Sequence, residues 1–212
     1  MNIIRDNPSL IKRTSKTFIE NTLSLNPNWN ILDIGCGFGA NKYANVIADK
    51  QDFADFYKEK NFVIIKEKKL PFKDKEFDFV IASHVIEHVE DVEFFLEELQ
   101  RISKQGYIEL PTILEDNLVF ENKKDHLWHM DFDDVKYELL ISKKVQYFEP
   151  VLAVSSIKKL NQIFRKSLIL ELFWEQTIEY KINKDTEINF DKISILSLLK
   201  KYFSKRLRMF FK

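Results

Sequence analysis

Short apolar runs separated by polar loops dominate the first half of the chain. They lie at residues 30–34, 44–48, 62–65, 77–82 and 107–110, and such runs are typical of strands buried on both faces of a parallel sheet. Between the last two runs, residues 92–103 carry apolar side chains on one face at helical spacing: Val92, Phe95, Leu96, Leu99 and Ile102. This order of elements predicts an α/β fold with a mostly parallel sheet.

Weaker patterns flank this region. Apolar residues at helical spacing predict an amphipathic helix over residues 9–25, which ends before Asn26 and Pro27. After Pro111 we expect a loop or lid with a short helix at residues 132–141. Strands at 144–148 and 168–181, with a helix at 156–164 between them, would complete the sheet as an antiparallel pair.

The C-terminal segment has a different composition. Residues 191–212 contain seven Lys or Arg and no acid after Asp191, interleaved with aliphatic and aromatic residues. One interpretation is a terminal helix packed on the domain with its basic face in water, and the other is an interfacial helix on anionic lipid. We therefore divide the chain into a domain at residues 1–182 and a basic amphipathic tail at residues 183–212.

Composition restricts the class of protein. Lys plus Arg and Asp plus Glu number 33 each, so no net charge attracts nucleic acid or a membrane to the chain as a whole. The single cysteine, Cys36, excludes an intrachain disulfide and a zinc site built on several thiolates. No apolar run is long enough to span a membrane and the first residues do not resemble a signal peptide, so we expect a soluble, cytoplasmic protein.

Three of the four glycines, Gly35, Gly37 and Gly39, directly follow the first predicted strand. Glycine permits positive φ and close approach of a ligand, and α/β sheets bind cofactors at the carboxyl ends of their strands. The spacing by itself fits both nicotinamide and adenosyl cofactors. Asp33 favours the second, because a carboxylate repels a pyrophosphate but attracts an ammonium or sulfonium cation. Asp49 ends the next strand, where an acid can accept hydrogen bonds from both ribose hydroxyls.

Four motifs carry a resemblance to a known family. They are residues 32–37 (Leu-Asp-Ile-Gly-Cys-Gly), 70–72 (Leu-Pro-Phe), 77–82 and 83–89 (Ser-His-Val-Ile-Glu-His-Val). In this order, over residues 30–111, the chain resembles the class I S-adenosylmethionine-dependent methyltransferases, the small-molecule group often called type 11. The resemblance implies a Rossmann-like fold with a mostly parallel sheet, an antiparallel C-terminal strand and helices on both faces. It also implies S-adenosylmethionine as the cofactor.

The same resemblance assigns the cofactor-binding residues. Asp33 and the glycines would lie against the methionine part of the cofactor, with Cys36 as a small filler of the loop. Asp49 would bind the ribose, and residues 82–84 would form the floor beneath the methyl group. The predicted cofactor-binding residues are thus Asp33, Gly35, Cys36, Gly37, Asp49 and Ser83.

Two departures from the family pattern affect this assignment. Only ten residues lead from Gly39 to Asp49, where the family places a full helix, so another element must cover that side of the cofactor. The N-terminal helix is the nearest candidate. Lys66, with Glu67 beside it, stands where the family usually has an acid that binds the adenine amine, so adenine recognition is left open.

All four histidines fall in two clusters, His84 and His88 around Glu87, and His126 with His129. We predict that His84 or His88 accepts a proton from the methyl acceptor or positions it, because the pKa of histidine suits proton transfer near neutral pH. The predicted site contains no metal, although a divalent ion held by both histidines and Glu87 is an open alternative, as is a structural role. Residues of the acceptor wall are expected near and after the fifth strand: Tyr107, His126, Trp128 and His129.

The sequence therefore predicts methyl transfer from S-adenosylmethionine to a small-molecule or a glycan- or lipid-linked acceptor, at a hydroxyl, by in-line displacement. The alternative is a catalytically silent S-adenosylmethionine-binding protein that acts through partners. Asp33 and the Leu-Pro-Phe element argue against a nicotinamide oxidoreductase. No nucleic-acid partner is expected, because no Asn/Asp-Pro-Pro-Tyr/Phe tetrapeptide follows the fourth strand. The basic tail adds a predicted peripheral contact with the inner face of the membrane.

Overall fold

The computed structural model describes residues 10–183 and 193–210. Its strands are β1 (Leu10–Arg13), β2 (Ile31–Ile34), β3 (Val46–Asp49), β4 (Asn61–Ile64), β5 (Phe79–Ser83), β6 (Gln105–Pro111), β7 (Trp128–Asp133), β8 (Glu138–Lys143), β9 (Ile169–Glu175) and β10 (Tyr180–Asn183). Its helices are α1 (Lys16–Leu25), α2 (Val92–Ile102), α3 (Ile113–Leu118), α4 (Asn122–Asp125), α5 (Val154–Leu168) and α6 (Ile195–Phe210), with a 3₁₀ turn at Ile86–His88.

The main sheet has the strand order β1-β9-β6-β5-β2-β3-β4. Strands β2 to β6 run parallel, and they are the five apolar runs predicted from the sequence. Strand β9 pairs antiparallel with β6, as expected of the C-terminal strand. The α/β prediction and the mostly parallel sheet are therefore confirmed.

The helix predicted over residues 9–25 is wrong in its first part. Residues Leu10–Arg13 form β1, which pairs antiparallel with β9 at the edge of the main sheet. Helix α1 begins only after Ser15, whose hydroxyl accepts a hydrogen bond from the Phe18 N–H at 3.2 Å. In so short a segment, the buried Ile11 is compatible with both helical and strand spacing of apolar residues. Here the pairing with β9 outweighs helix propensity.

The helix predicted at residues 132–141 is also wrong, because this segment belongs to the β7–β8 hairpin. Met130, Phe132, Leu139 and Ile141 alternate with more exposed residues and pack into the main core. Strand β10 pairs parallel with β8 and completes a second sheet of three strands.

The strand expected at residues 144–148 does not form. Its one ladder contact is an isolated bridge between Phe148 and Ile193. The antiparallel pair that completes the main sheet is therefore β9 with β1, and the predicted partner from residues 144–148 is wrong. The helix predicted at 156–164 is present as the longer α5.

Helix α1 packs beside the short crossover that follows the glycine loop. Ile19 and Leu23 on its buried face pack in one cluster with Cys36, Ala44 and Ile47. The helix thus covers this face of the main sheet, and its predicted cover of the cofactor stays a prediction.

Helix α6 differs from the rest of the fold because none of its side chains is buried. Leu196 is 77% exposed and Phe210 is 87% exposed. The interpretation of a helix packed on the domain is therefore wrong for α6. Among the residues that the structure describes, no helix is both long and apolar enough to cross a bilayer.

Candidate active site

A cavity of about 570 Å³ lies at the carboxyl ends of the parallel strands. Strands β2, β3, β4 and β5 contribute residues from the loops that follow them, and the beginning of α2 also lines the cavity. Residues that line it include Gly35, Gly37, Asp49, Glu67, His84 and His88. Ligands bind at this edge of open α/β sheets, so this cavity is the candidate cofactor site.

The glycine loop takes a shape that other residues would oppose. Gly35 and Gly37 have φ values of +69° and +49°, in the left-handed region. A Cβ on Gly35 would also overlap the side chain of Val85, whereas a Cβ on Gly37 would meet nothing within 4 Å. Gly35 is therefore required for both packing and conformation, and Gly37 for conformation.

Asp49 connects the loop to the cavity wall. Its Oδ2 accepts a hydrogen bond from the Gly37 N–H at 2.9 Å, and its Oδ1 accepts one from the Gln51 N–H at 2.9 Å. Carboxylate oxygens have further lone pairs, so Asp49 can still accept hydrogen bonds from a ligand. Its position fits the role predicted from the sequence.

Three other predicted cofactor residues lie behind the wall rather than on it. Asp33 is 4% exposed and accepts a hydrogen bond from the Asn41 N–H at 2.6 Å. Burial raises the pKa of Asp33 to about 6. Cys36 is buried too, and burial raises the pKa of its thiol to about 11. Ser83 is half-buried and does not line the cavity.

Tyr57 supports the loop in a way that the sequence does not indicate. Its hydroxyl donates a hydrogen bond to the Gly37 carbonyl at 2.9 Å and accepts one from the Ala40 N–H at 3.0 Å. Nothing in the local pattern around Tyr57 signals this contact, because it joins residues about twenty positions apart. Tyr57 thus fixes the glycine loop from the segment between β3 and β4.

At the far end of the cavity, Ile65 and Glu67 line the wall, and Lys66 does not. That Lys66 stands where the family has its adenine-binding acid stays a prediction, and Glu67 is the carboxylate that lines the cavity in this segment.

His84 is held in an unusual conformation between two glutamates. Its φ is +54°, and its backbone N–H donates to the Glu109 carbonyl at 2.8 Å. The ring Nδ1 lies 3.3 Å from Glu87 Oε1, and Nε2 lies 3.4 Å from Glu109 Oε1. Burial lowers the pKa of His84, but the two carboxylates outweigh it and raise this pKa to about 10.

A buried hydrogen-bond network lies behind His84 and Glu109. The Tyr107 hydroxyl lies 2.7 Å from Glu109 Oε2 and 2.8 Å from Glu171 Oε1, and Arg165 contacts the same two carboxylates at 2.6 and 3.0 Å. Burial raises the pKa of Glu109, but His84 and Tyr107 reverse this and lower it to about 2. Tyr107 therefore lies in the interior, and its predicted place on the acceptor wall is wrong.

The second pair of histidines surrounds Asp116. His126 Nδ1 lies 2.6 Å from Asp116 Oδ1, and His129 Nε2 lies 2.9 Å from Oδ2. Burial raises the pKa of Asp116, but these histidines and Lys144 hold it well below the usual range of an aspartate. His129 is buried and does not line the cavity, against expectation, nor does Trp128, whose indole N–H donates to the Val89 carbonyl at 2.7 Å.

The structure joins the two histidine clusters, which the sequence separates. The rings of His88 and His126 meet edge to face with centroids 4.5 Å apart. Among the described residues, Glu87, His88 and His126 form the group that could hold a metal ion, with potential ligand atoms within 4.8 Å of one another. Their convergence has no signal in the sequence beyond the residue types, since a long-range contact produces it.

Comparisons with known proteins give the following similarities. The methyltransferase domain family matches residues 3–152, more than half of the chain. An uncharacterized protein of Methanocaldococcus jannaschii is 29% identical over 169 residues, which are 73% of this chain and 71% of the relative.

Two solved structures are similar over parts of the chain. A SAM-dependent methyltransferase from Aquifex aeolicus is 15% identical with a TM-score of 0.41, and the match covers 74% of this chain and 87% of that chain. A possible histamine N-methyltransferase from Thermotoga maritima is 25% identical with a TM-score of 0.36. The second match covers 50% of this chain and 54% of that chain, so this chain spans about half of its length.

The family match covers the glycine loop and the ends of the parallel strands that build the cavity. The sheet order, with antiparallel β9 beside β6, agrees with the fold that the motifs implied. The chain therefore belongs to the class I S-adenosylmethionine-dependent methyltransferase family.

Proposed function

We propose that the protein transfers a methyl group from S-adenosylmethionine to a hydroxyl of a small-molecule or a glycan- or lipid-linked acceptor. The observation that carries this proposal is a single cavity with the glycine loop and Asp49 on one wall and His84 and His88 on another. A cofactor site and groups able to position or deprotonate an acceptor thus share one space.

The residues of the cavity fit the cofactor from end to end. The positive-φ glycines leave backbone exposed for the methionine part, and Asp49 has lone pairs available for the ribose hydroxyls. Glu67 offers a carboxylate to the adenine amine. Asp33 acts from beneath, where it fixes the loop through Asn41 and adds negative charge near the ammonium and sulfonium groups.

The cofactor supplies an electrophilic methyl group on a sulfonium. As the bond between the acceptor oxygen and the methyl carbon forms, the bond between that carbon and sulfur breaks, and the hydroxyl proton must leave. The protein has to align these atoms and exclude water.

The two histidines differ in what they offer this reaction. Both ring nitrogens of His84 face carboxylates, so neither is free to accept a proton from the acceptor. His88 Nδ1 lies 2.9 Å from the Asp125 carbonyl, which can only accept, so Nδ1 carries the hydrogen and Nε2 has a free lone pair. His88 Nε2 is therefore the proton acceptor that the protein itself provides.

A peripheral membrane contact through α6 is part of the proposal. Residues 193–210 carry five Lys or Arg and no acid, and the apolar side chains of α6 are exposed. An amphipathic helix of this composition suits the surface of an anionic bilayer, which supports a lipid-linked acceptor at its cytoplasmic face.

The first experiment is calorimetric titration of the purified chain with S-adenosylhomocysteine. We expect binding in the micromolar range, weakened about tenfold or more in Asp49→Asn and Glu67→Gln, since each substitution replaces a charged hydrogen-bond acceptor with a neutral one. Asp55→Asn and Lys66→Gln are matched controls at exposed positions and should bind like the wild type. No binding by the folded wild type, or binding of a reduced nicotinamide instead, would refute the proposed cofactor.

The acceptor is sought with S-adenosylmethionine labelled in its methyl group and cell extract separated into small-molecule, lipid and macromolecular fractions. We expect label in the small-molecule or lipid fraction, in a product that resists mild alkali as an ether does. Label in an alkali-labile ester or in a cationic amine would refute methyl transfer to a hydroxyl.

A catalytically silent binding protein is the second candidate. It is favoured by one observation, the hydrogen bond that keeps Asp33 within the loop rather than on the cavity wall. Tight binding of S-adenosylhomocysteine without label transfer in any extract fraction would support this candidate over the enzyme.

A further inference from the structure

We propose that Glu87, His88 and His126 form a binding site for one divalent transition-metal ion beside the acceptor side of the cavity. The ligand set stands on the structure alone, whereas the chemical role of the ion rests on the proposed methyl transfer to a hydroxyl.

The three residues come from separate parts of the chain and converge at one point. Glu87 and His88 lie in the 3₁₀ turn after β5, and His126 follows α4. One ligand atom from each residue lies within 4.8 Å of the others. A small inward shift of the side chains would bring all three to the distances of about 2.0–2.2 Å at which a metal is bound.

Glu87 has no other satisfactory partner. Its side chain is 1% exposed, and neither carboxylate oxygen has a hydrogen bond within the described part of the chain. The nearest cation, His84, lies 3.3 Å away from one oxygen only. A buried carboxylate without hydrogen bonds is costly, and a cation held against it removes that cost.

Both histidines have their Nδ1 close to an oxygen atom of the protein. His88 Nδ1 faces the Asp125 carbonyl at 2.9 Å, and His126 Nδ1 faces Asp116 Oδ1 at 2.6 Å. The contact of His88 Nδ1 with a carbonyl oxygen leaves its Nε2 lone pair for a ligand, and the buried Nδ1 of His126 has no hydrogen-bond partner among the described residues. Metal-bound histidines almost always have such a carbonyl or carboxylate partner behind them.

The carboxylate behind His126 is itself fixed. Lys144 Nζ lies 2.8 Å from Asp116 Oδ1, and His129 contacts the other oxygen. Asp116 is therefore held in place beside His126, as the residues behind metal-binding histidines are.

Two imidazoles and one carboxylate select the class of ion. This donor set suits Zn²⁺, Mn²⁺, Fe²⁺ or Co²⁺, whereas Mg²⁺ and Ca²⁺ prefer oxygen ligands throughout. Three protein ligands leave coordination positions open, and the exposed side chain of His88 borders the cavity.

An ion at this place has a direct use in the proposed reaction. A divalent ion lowers the pKa of a hydroxyl that it binds, so the acceptor can lose its proton to water as the methyl group arrives. His88 would then serve as a ligand, and no protein base is needed.

The test uses the untagged full-length chain, freed of metal with a chelator and titrated with Zn²⁺, Mn²⁺ and Mg²⁺ by calorimetry. We expect one Zn²⁺ or Mn²⁺ per chain, binding reduced at least a hundredfold in Glu87→Gln and His126→Asn, and weak Mg²⁺ binding. Asp116→Asn should lower the affinity for the ion about tenfold to a hundredfold through its effect on His126. Glu115→Gln is a matched control, because Glu115 is an equally buried glutamate outside the ligand set.

A spectroscopic measurement keeps the test decisive if a variant fails to fold. The visible absorption of Co²⁺ bound to the wild type reports its nitrogen ligands and coordination number without any substitution. Fewer than one tight ion per chain, Co²⁺ bands typical of oxygen ligands alone, or equal affinity in folded Glu87→Gln would overturn the site.

Failure of the metal site and failure of the proposed function are separable. His126→Asn should bind S-adenosylhomocysteine like the wild type, because His126 does not line the cofactor cavity. If the ion is used, methyl transfer falls after chelation and returns with Zn²⁺ or Mn²⁺. Transfer that survives chelation, with no ion bound, would overturn the use of the ion in the reaction and leave His88 as the base.

Discussion

The carboxylate of Asp33 lies beneath the glycine loop, where burial favours its neutral form and the loop N–H of Asn41 favours its charged form. Burial prevails, since the pKa is raised to about 6. A cationic ligand placed above the loop shifts this balance toward the charged form. The residue thus links cofactor binding to pH.

We expect the affinity for S-adenosylhomocysteine, whose ammonium group is cationic, to fall as the pH drops below about 6. Below its pKa the free protein holds a proton on Asp33 that must leave on binding, so affinity should fall up to about tenfold per pH unit. Calorimetry between about pH 5 and pH 7 measures this.

Asp33→Asn is the matched control, because it has the same shape and no proton to lose. Its affinity should be lower and nearly flat across this range. A wild-type affinity that is equally flat would contradict the link between Asp33 and the ligand.

At the level of single residues, the sequence predicted those parts of the site that lie in local motifs. Gly35, Gly37 and Asp49 follow strands with a clear apolar pattern, and the structure places them on one cavity. Tyr57 and His126 could not be predicted in their roles, because tertiary contacts bring them to the loop and to His88. No local pattern encodes such contacts.

Among the elements, the hairpin at β7 and β8 shows why residues 132–141 were mispredicted. The apolar residues there fit the spacing of a helix as well as the alternation of a strand, so the pattern alone could not distinguish a helix from a hairpin. The turn favours the hairpin, because the Asp133 carboxylate accepts hydrogen bonds from the Val135 and Lys136 N–H groups and Tyr137 takes a φ of +58°. The long buried runs that form β2 to β6 offered no such ambiguity.

The packing of strand β1 predicts how a substitution in it changes the stability of the fold. Ile11 is 1% exposed and packs in the main core, whereas Lys12 beside it is exposed. We expect Ile11→Ala to lower the free energy of unfolding by about 2–5 kcal/mol, because it removes buried methyl groups and leaves a cavity. Urea denaturation followed by circular dichroism measures the change.

The control is Lys12→Ala on the opposite face of the strand, which should change the free energy of unfolding by about 0.5 kcal/mol or less. The helix first predicted for this segment would not distinguish the two positions so sharply. Equal effects of the two substitutions would contradict the role of β1 as an edge strand.

On the scale of the whole molecule, charge is unevenly divided although its sum is zero. The five cations of residues 193–210 are balanced by an equal excess of acidic residues elsewhere in the chain. An anionic bilayer would therefore attract α6 and repel the rest of the protein on average. This division favours an arrangement in which the tail contacts the membrane and the catalytic body stays in water.

Liposome co-sedimentation tests that arrangement with vesicles of phosphatidylcholine alone and vesicles that contain phosphatidylglycerol. Each Lys or Arg near an anionic surface contributes about 1 kcal/mol, so the full chain should sediment with the anionic vesicles and release as salt increases. A truncation after residue 184 should stay in solution. Replacement of Lys200, Lys201 and Lys205 by Glu should abolish binding while the apolar face is kept, and Phe203→Ser should weaken it while the charge is kept. The two variants separate the contribution of charge from that of apolar contact. Vesicle binding that survives in both variants would exclude an interfacial helix. So would equal binding of the full chain and the truncation.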